Sequence, residues 1–255
     1  MKRRLTNKLL VLNIVVWTLM ISAPFGWASF DHGIYDAVLK AHVKNGLVDY
    51  RALKEDARLD QYLDQLKNAE LDKLISTEDE LAFWTNAYNA YTLKLITHHY
   101  PVSSILDIKK AGYKDAWKFP WAHIAGKTYT LDQVENEIIR PHWPDPRIHY
   151  ALVCAAQSCP QLRSEAYTAD ALEDQFNEQA EWFMIHRNEF DLKKRIAKVS
   201  KVFEWYAVDF GNSQADMLQT LIPHVPENLA RSFKKDARKW KVQFVEWDWQ
   251  LNEQE

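Results

Sequence analysis

Two cysteines and a histidine lie close together in the sequence and could do chemistry as a group. Cys154 and Cys159 are the two cysteines of the chain, and His149 precedes them. A thiol becomes a useful nucleophile when a neighbouring imidazole lowers its pKa, and such pairs perform acyl transfer on unrelated folds. An even cysteine count equally fits a short disulfide, and a buried free thiol or a metal ligand are further alternatives. The His-x4-Cys-x4-Cys spacing is untypical of zinc sites, so no metal site is predicted.

Two asparagines, Asn86 and Asn89, lie one helical turn apart in an otherwise apolar segment. Asparagine is a poor residue for a helix interior, and a buried amide without partners costs about 1–3 kcal/mol. Each amide must therefore bond to fixed groups. Either the two amides tie the helix to loop backbone, or one of them faces a cleft, where it orients a histidine or stabilises an oxyanion. On the second alternative Asn89 is a catalytic candidate and Asn86 a substrate-binding one.

Charged and aromatic side chains extend the set of candidates. Glu80 follows Thr77 at the spacing of a capping box, so its carboxylate either caps a helix or takes part in catalysis. Arg163 follows the second cysteine, where a guanidinium can bind a substrate carboxylate or pair with a surface acid. Trp84, in the same segment as the asparagines, is a candidate substrate contact. Nine tryptophans follow residue 28, more than a small core usually needs, so we expect some of them to line a groove.

The elements that must position these residues are mostly helical. The paired asparagines fall in a helix over residues 77–100, which is apolar nearly all round, is predicted to be buried and stops at Pro101. Residues 148–154 read as a buried strand leading into the cysteine loop, which would point His149 and Cys154 to opposite faces. A hairpin is predicted at residues 122–131. Further helices are predicted at 30–43, 56–67, 169–187, 213–222 and 228–238, and extended segments at 196–203 and 242–249. The predicted class is α+β, a predominantly helical single domain with a small, mostly antiparallel sheet.

The first 28 residues have the three parts of a secretory signal peptide. A basic start is followed by an apolar run over residues 9–23 and a small-residue exit at Ala28. Cleavage after Ala28 predicts a periplasmic or secreted protein without a membrane span. An uncleaved N-terminal anchor is the alternative, although the run of about 15 residues is shorter than the roughly 20 that cross a bilayer.

The chain that remains, residues 29–255, is acidic and has the length of a single domain. It carries 28 basic against 35 acidic side chains, a net charge of −7 with histidines neutral. Phosphate binding needs a concentrated basic face, so a nucleic-acid partner is not expected. No cofactor is predicted.

Several segments of the chain carry the resemblance to a known family. They are residues 81–90, 126–131, 145–160, 165–168, 203–210 and 247–252, together with Glu135 and Arg140. On these segments the chain resembles family 547 of the domains of unknown function, over nearly all of the part after residue 28. Bacterial members of that family are often exported, and plant relatives act through protein partners. The resemblance therefore implies a fold and its extent, and leaves the reaction open.

Two functions remain open at this point. The first is a cysteine-dependent hydrolase or acyltransferase of the cell envelope that acts on an amide or thioester, with a loop cysteine as nucleophile, His149 as base and Asn89 as orienting group. The second is a non-catalytic binding module whose aromatic groove holds a small molecule, peptide or glycan, with Cys154 and Cys159 joined in a disulfide. Both require the asparagine helix and the cysteine loop to pack together.

Overall fold

The computed structural model describes residues 29–255, and the predicted signal peptide, residues 1–28, lies outside the described residues. Helices predominate and the strands are short, which confirms the α+β, mainly helical class. The main helices are α1 (Gly33–His42), α2 (Tyr50–Lys54), α3 (Ala57–Lys67), α4 (Thr77–His99), α5 (Leu131–Gln133), α6 (Arg140–His142), α7 (Ile148–Ala151), α8 (Leu172–His186), α9 (Val202–Trp205), α10 (Gln214–Thr220) and α11 (Glu227–Asp236). The strands are β1 (Val43–Lys44), β2 (Leu47–Val48), β3 (Ala122–Ile124), β4 (Lys127–Tyr129), β5 (Glu189–Asp191), β6 (Ile196–Val199) and β7 (Lys241–Phe244).

The strands pair mostly in antiparallel fashion, as predicted. β1 pairs with β2, β3 with β4 and β5 with β6 in antiparallel hairpins, and β7 lies parallel to β6. The predicted hairpin turns at Ala125 and Gly126, whose φ angles are 48° and 73°. Two positive φ angles in a row are the geometry of the tight turn that matches the twist of two antiparallel strands.

Helix α4 forms the centre of the fold. Every residue from Leu81 to Leu93 is buried, which confirms the prediction of a helix surrounded by protein. It ends at His99, two residues before Pro101, as the helix-stop rule predicts. In the part of the chain from residue 29 onward, no helix is both long and apolar enough to cross a bilayer.

The predicted capping of α4 by Thr77 and Glu80 is wrong by one residue. Ser76 is the N-cap, and its hydroxyl accepts a hydrogen bond from the backbone N–H of Asp79 at 3.1 Å. The buried Asp79 carboxylate in turn accepts the N–H groups of Ile75 and Phe30. Asp79 therefore ties the helix to the start of the described chain, whereas Glu80 is only partly buried.

Each of the two asparagines of α4 both donates a hydrogen bond to loop backbone and accepts one from it. Asn86 donates to the carbonyl oxygen of Tyr167 at 2.7 Å and accepts from the N–H of the same residue at 3.0 Å. Asn89 donates to the carbonyl of Ala151 and accepts from the N–H of Val153, both at 2.9 Å. The helix thus fixes the backbone that leads into the cysteine loop.

The strand predicted over residues 148–154 is wrong. The chain forms the short helix α7 at its start and becomes extended only from Leu152. A short run that is buried on all sides has no periodicity to distinguish a strand from a helix, and the residues of α7 are all buried. His149 and Cys154 are therefore not confined to opposite faces.

The C-terminal residues return across the first half of the chain and pack on the cysteine loop. Asn252 donates its backbone N–H to the carbonyl of Ala155 at 3.1 Å, and Gln157 donates its N–H to the carbonyl of Gln250 at 2.8 Å. The phenol of Tyr50 donates to the Asn252 side chain at 2.6 Å. We call residues 245–253 the C-terminal strap.

Replacing Asn86 with alanine is expected to lower the free energy of unfolding by about 2–4 kcal/mol. The substitution leaves both the N–H and the carbonyl of Tyr167 without a partner in a buried place, and each such group costs about 1–3 kcal/mol. Urea denaturation followed by circular dichroism measures the change. The control is Asn212→Ala at an exposed position, which should shift stability by less than about 0.5 kcal/mol. Equal small effects of the two substitutions would contradict the prediction.

Candidate ligand pocket

A cavity of about 250 Å³ opens beside the cysteine loop. Helix α4, the segment after α5, helix α9, the cysteine loop and the C-terminal strap all contribute side chains to it. We call it the aromatic pocket, because six aromatic rings besides a histidine line it. Its lining residues are Tyr88, Trp117, Asp132, Glu135, Asn136, His149, Leu152, Cys154, Cys159, Pro160, Val202, Trp205, Tyr206, Trp247 and Trp249.

Four tryptophans form a continuous wall on one side of the aromatic pocket. The ring of Trp205 lies 4.7 Å from that of Trp247 and 5.8 Å from that of Trp249, and Trp117 lies 6.0 Å from Trp249. Trp205 is 47% exposed, an unusual fraction for so large an apolar side chain. The wall therefore offers ring surface that a ligand can cover.

His149 also lines the aromatic pocket, is buried and is neutral at neutral pH. Its ring stacks on Tyr206 with 3.9 Å between ring centroids, and its Nε2 lies 2.6 Å from an oxygen of Asp209. Burial lowers the pKa of His149 to about 4 and outweighs the opposite effect of Asp209. An ionised Asp209 assigns the proton to Nε2, so Nδ1 is left as an acceptor. Within residues 29–255 no hydrogen bond reaches Nδ1.

Asp209 holds the histidine and is held in turn by Arg140. The guanidinium binds both carboxylate oxygens, with Nε at 2.8 Å from one and Nη2 at 2.9 Å from the other. Burial raises the pKa of Asp209, but the hydrogen bonds from Arg140 and His149 outweigh it and lower the pKa below its usual range. The guanidinium also lies over the ring of Tyr206, at 5.1 Å from its centroid. Sequence reasoning did not select Asp209 or Tyr206, although both fall in the segment 203–210 that carries part of the family resemblance.

Glu135 places a buried carboxyl group in the aromatic pocket. It follows helix α5, which begins with a capping box formed by Thr130 and Gln133. The residue belongs to a π-helical segment, Val134–Ile139, and such segments are frequent at functional sites. Burial raises the pKa of Glu135, and the phenols of Tyr88 and Tyr206 counteract this by donating hydrogen bonds to its charged form.

The two cysteines are joined in a disulfide that forms part of the pocket wall. Their Cα atoms are 6.2 Å apart, and the backbone N–H of Cys154 points to the sulfur of Cys159 at 3.0 Å. Neither sulfur is a free thiol in this state, so neither can act as a nucleophile until the bond is reduced. Residues 29–255 contain no cluster of three or more His, Cys, Asp or Glu side chains that could hold a metal ion.

Three of the residues selected from the sequence meet in this pocket. His149, Cys154 and Cys159 all line it. Asn86 and Asn89 lie outside it with both amide atoms bonded to backbone, which favours the first of their two alternatives, a tie between the helix and the loops.

The remaining candidates lie elsewhere in the described structure. Glu80 lies at the first turn of α4. Trp84 packs its ring between those of Phe83 and Tyr129, at 5.5 and 5.7 Å. Arg163 binds surface acids, with Nη1 2.7 Å from Glu178, which corresponds to the surface pairing considered for it. None of the three contributes to the lining of the aromatic pocket.

Comparison with known proteins identifies one family. Residues 72–184 match the model of the family described as Protein of unknown function, DUF547. The match contains α4, the π-helical segment and the cysteine loop, and it ends before Asp209 and the C-terminal strap. It is therefore narrower than the predicted resemblance over nearly the whole chain after residue 28. No curated protein and no solved structure matches the chain.

We expect His149 to make the fold less stable as pH falls from about 6.5 toward about 4. Its folded pKa of about 4 lies below the unfolded value of 6.5, so the unfolded chain takes up the proton first. The contribution of the neutral ring is thus complete above pH 6.5 and is lost as pH falls through the folded pKa. His149→Gln should remove about 2–3 kcal/mol of this pH-dependent change.

Urea denaturation at a series of pH values from about 4.5 to about 7.5 tests this expectation. His32 has a similarly lowered pKa and remains in the variant, so the comparison between proteins isolates His149. The control is His186→Gln at an exposed position. If the stability of His149→Gln follows the same pH dependence as the unsubstituted protein, the ring is not a buried neutral group.

Proposed function

We propose that this protein, whose residues 72–184 match the DUF547 model, is a binding protein that holds a small ligand in the aromatic pocket. The observation that carries the proposal is a cavity of about 250 Å³ lined by six aromatic rings and a few polar side chains. Ligand sites in proteins are typically concave, mostly apolar and supplied with a few converging polar groups. The volume lies just below the roughly 300–1,000 Å³ of typical pockets, so the ligand is a small molecule or one residue of a glycan or peptide.

The rings of the pocket are held in place before any ligand binds. Ser158, in the disulfide-closed loop, accepts the N–H of Asp248 with its hydroxyl at 2.9 Å. Its own N–H donates to the carbonyl of Asp248 at 3.2 Å. Trp247 and Trp249 flank Asp248, so the loop fixes the strap that carries two of the four tryptophans. A preorganised wall favours binding because less side-chain freedom is lost when the ligand is bound.

Export of the protein is part of the same proposal. The signal-like segment at residues 1–28 supports it. The Cys154–Cys159 disulfide supports it as well, because disulfides persist in the periplasm and outside the cell and are rare in reducing compartments.

Binding of at least one small probe, and its loss on replacing Trp205, tests the proposal. Saturation-transfer difference spectroscopy is run with N-acetylglucosamine, N-acetyltryptophanamide, choline and dimethylbutanol. Trp205→Ala should lower the affinity for the bound probe about tenfold, equivalent to about 1.4 kcal/mol, because one stacking ring is removed. Since Trp205 is 47% exposed, its loss should leave the fold intact.

The matched control for this experiment is Trp182→Ala. Trp182 stacks on His186 on helix α8 and does not line the aromatic pocket. The Trp182→Ala variant should bind the probe as tightly as the unsubstituted protein does. Failure of all four probes to bind, or equal binding by the Trp205 variant, would remove the proposal.

The His149–Asp209 pair favours a second candidate function, a cysteine-dependent hydrolase or acyltransferase. Reduction by an external dithiol would convert the disulfide into two thiols, and one of them could then pass its proton to Nδ1 of His149. Asp209 would hold the imidazole in the required tautomer, the part played by the acid in cysteine and serine triads. Asp209 therefore takes the place that sequence reasoning gave to Asn89.

Alkylation with iodoacetamide tests this second candidate. The denatured protein should take up no label before treatment with dithiothreitol and should label both cysteines afterwards. In the reduced, folded protein at neutral pH, iodoacetamide should then alkylate one cysteine faster than it alkylates free cysteine. His149→Gln should slow that reaction about tenfold. A reduced protein whose thiols react no faster than free cysteine, with or without His149, excludes the hydrolase.

A further inference from the structure

The charged side chains around the aromatic pocket are paired with one exception. Arg140 binds Asp209 through two hydrogen bonds, and Lys118 lies 3.1 Å from Asp132. Glu135 forms no ion pair with any residue in the range 29–255, although the phenols of Tyr206 and Tyr88 and the more distant charge of Arg140 favour its ionised form. Its side chain is also 94% buried, since only 6% of the residue is exposed. The guanidinium of Arg140 is bound to Asp209, so among the described residues Glu135 has no cation of its own at ion-pair distance.

No lysine or arginine among the described residues lines the aromatic pocket. His149 adds no charge there at neutral pH, because burial keeps its ring neutral. The faces of tryptophan and tyrosine rings carry negative partial charge and attract cations within about 6 Å of the ring centroid. The tryptophan wall and the buried carboxyl group of Glu135 therefore both favour positive charge inside the cavity.

On the basis of the proposed function, we propose that the ligand of the aromatic pocket carries an ammonium group, held between the tryptophan wall and the carboxylate of Glu135. Binding completes the charge pairing of the site, with no covalent step. A neutral ring, such as that of a sugar, would use the stacking surface and leave Glu135 unpaired.

Choline and dimethylbutanol distinguish charge from shape. Dimethylbutanol is the neutral alcohol in which a carbon atom replaces the nitrogen of choline, so the two probes differ mainly in charge. Calorimetric titration of residues 29–255 with each should show that choline binds at least about tenfold more tightly. Equal affinities would overturn the ammonium inference and leave the binding function standing.

Glu135→Gln removes the charge and keeps the size of the side chain. This substitution should lower the affinity for choline about tenfold and leave the affinity for dimethylbutanol unchanged. The control is Glu137→Gln, an exposed glutamate in the same π-helical segment, which should change neither affinity. Circular dichroism shows whether each variant folds. If Glu135→Gln does not fold, the comparison of choline with dimethylbutanol on the unsubstituted protein decides alone.

The remaining outcomes separate the two proposals. Binding of N-acetylglucosamine or N-acetyltryptophanamide without binding of choline overturns the ammonium inference and supports the binding function. Absence of binding by all four probes overturns both. Tighter binding of choline that persists unchanged in Glu135→Gln also overturns the role given to this carboxylate.

Discussion

The structure depends on how helix α4 satisfies two amides in an apolar interior. An asparagine amide inside such a helix must find partners, because an unpaired buried polar group costs several times the net value of a hydrogen bond. Asn89 finds them in Ala151 and Val153, the residues between His149 and Cys154. The Asn89 side chain thereby helps to fix the positions of both His149, which precedes this backbone, and the disulfide, which follows it. The pocket depends on that attachment, although Asn89 does not line it.

A second constraint comes from the far end of the chain. Asp209 must be ionised to receive Arg140 and His149 together, and the bidentate contact with Arg140 stabilises that charge. The same residue decides the tautomer of His149 and, through it, which ring nitrogen is available to the pocket. Tyr206 contacts both the imidazole and the guanidinium. The groups that hold His149 in the pocket wall thus form one interacting unit rather than a set of independent groups.

Local signals explain what could be predicted from the sequence. The hairpin and the end of α4 before Pro101 depend on neighbouring residues, so the sequence predicts them well. Residues 148–151 lack such a signal, because a segment buried on every side has no period. The pairing of His149 with Asp209, 60 residues away, and the arrival of the C-terminal tryptophans at the cysteine loop depend on tertiary packing. No spacing within one segment could have indicated them.

The two functions proposed for the pocket are physically compatible because the strap does not depend on the sulfur atoms alone. Gln157 and Ala155, both inside the disulfide loop, bind Gln250 and Asn252 through backbone hydrogen bonds. These bonds, and the grip of Asn89 on Val153, involve no sulfur. Reduction would therefore free a thiol facing the pocket while the tryptophan wall kept its place. If both proposals hold, the site would bind its ligand in both redox states and would have a nucleophile in only one of them.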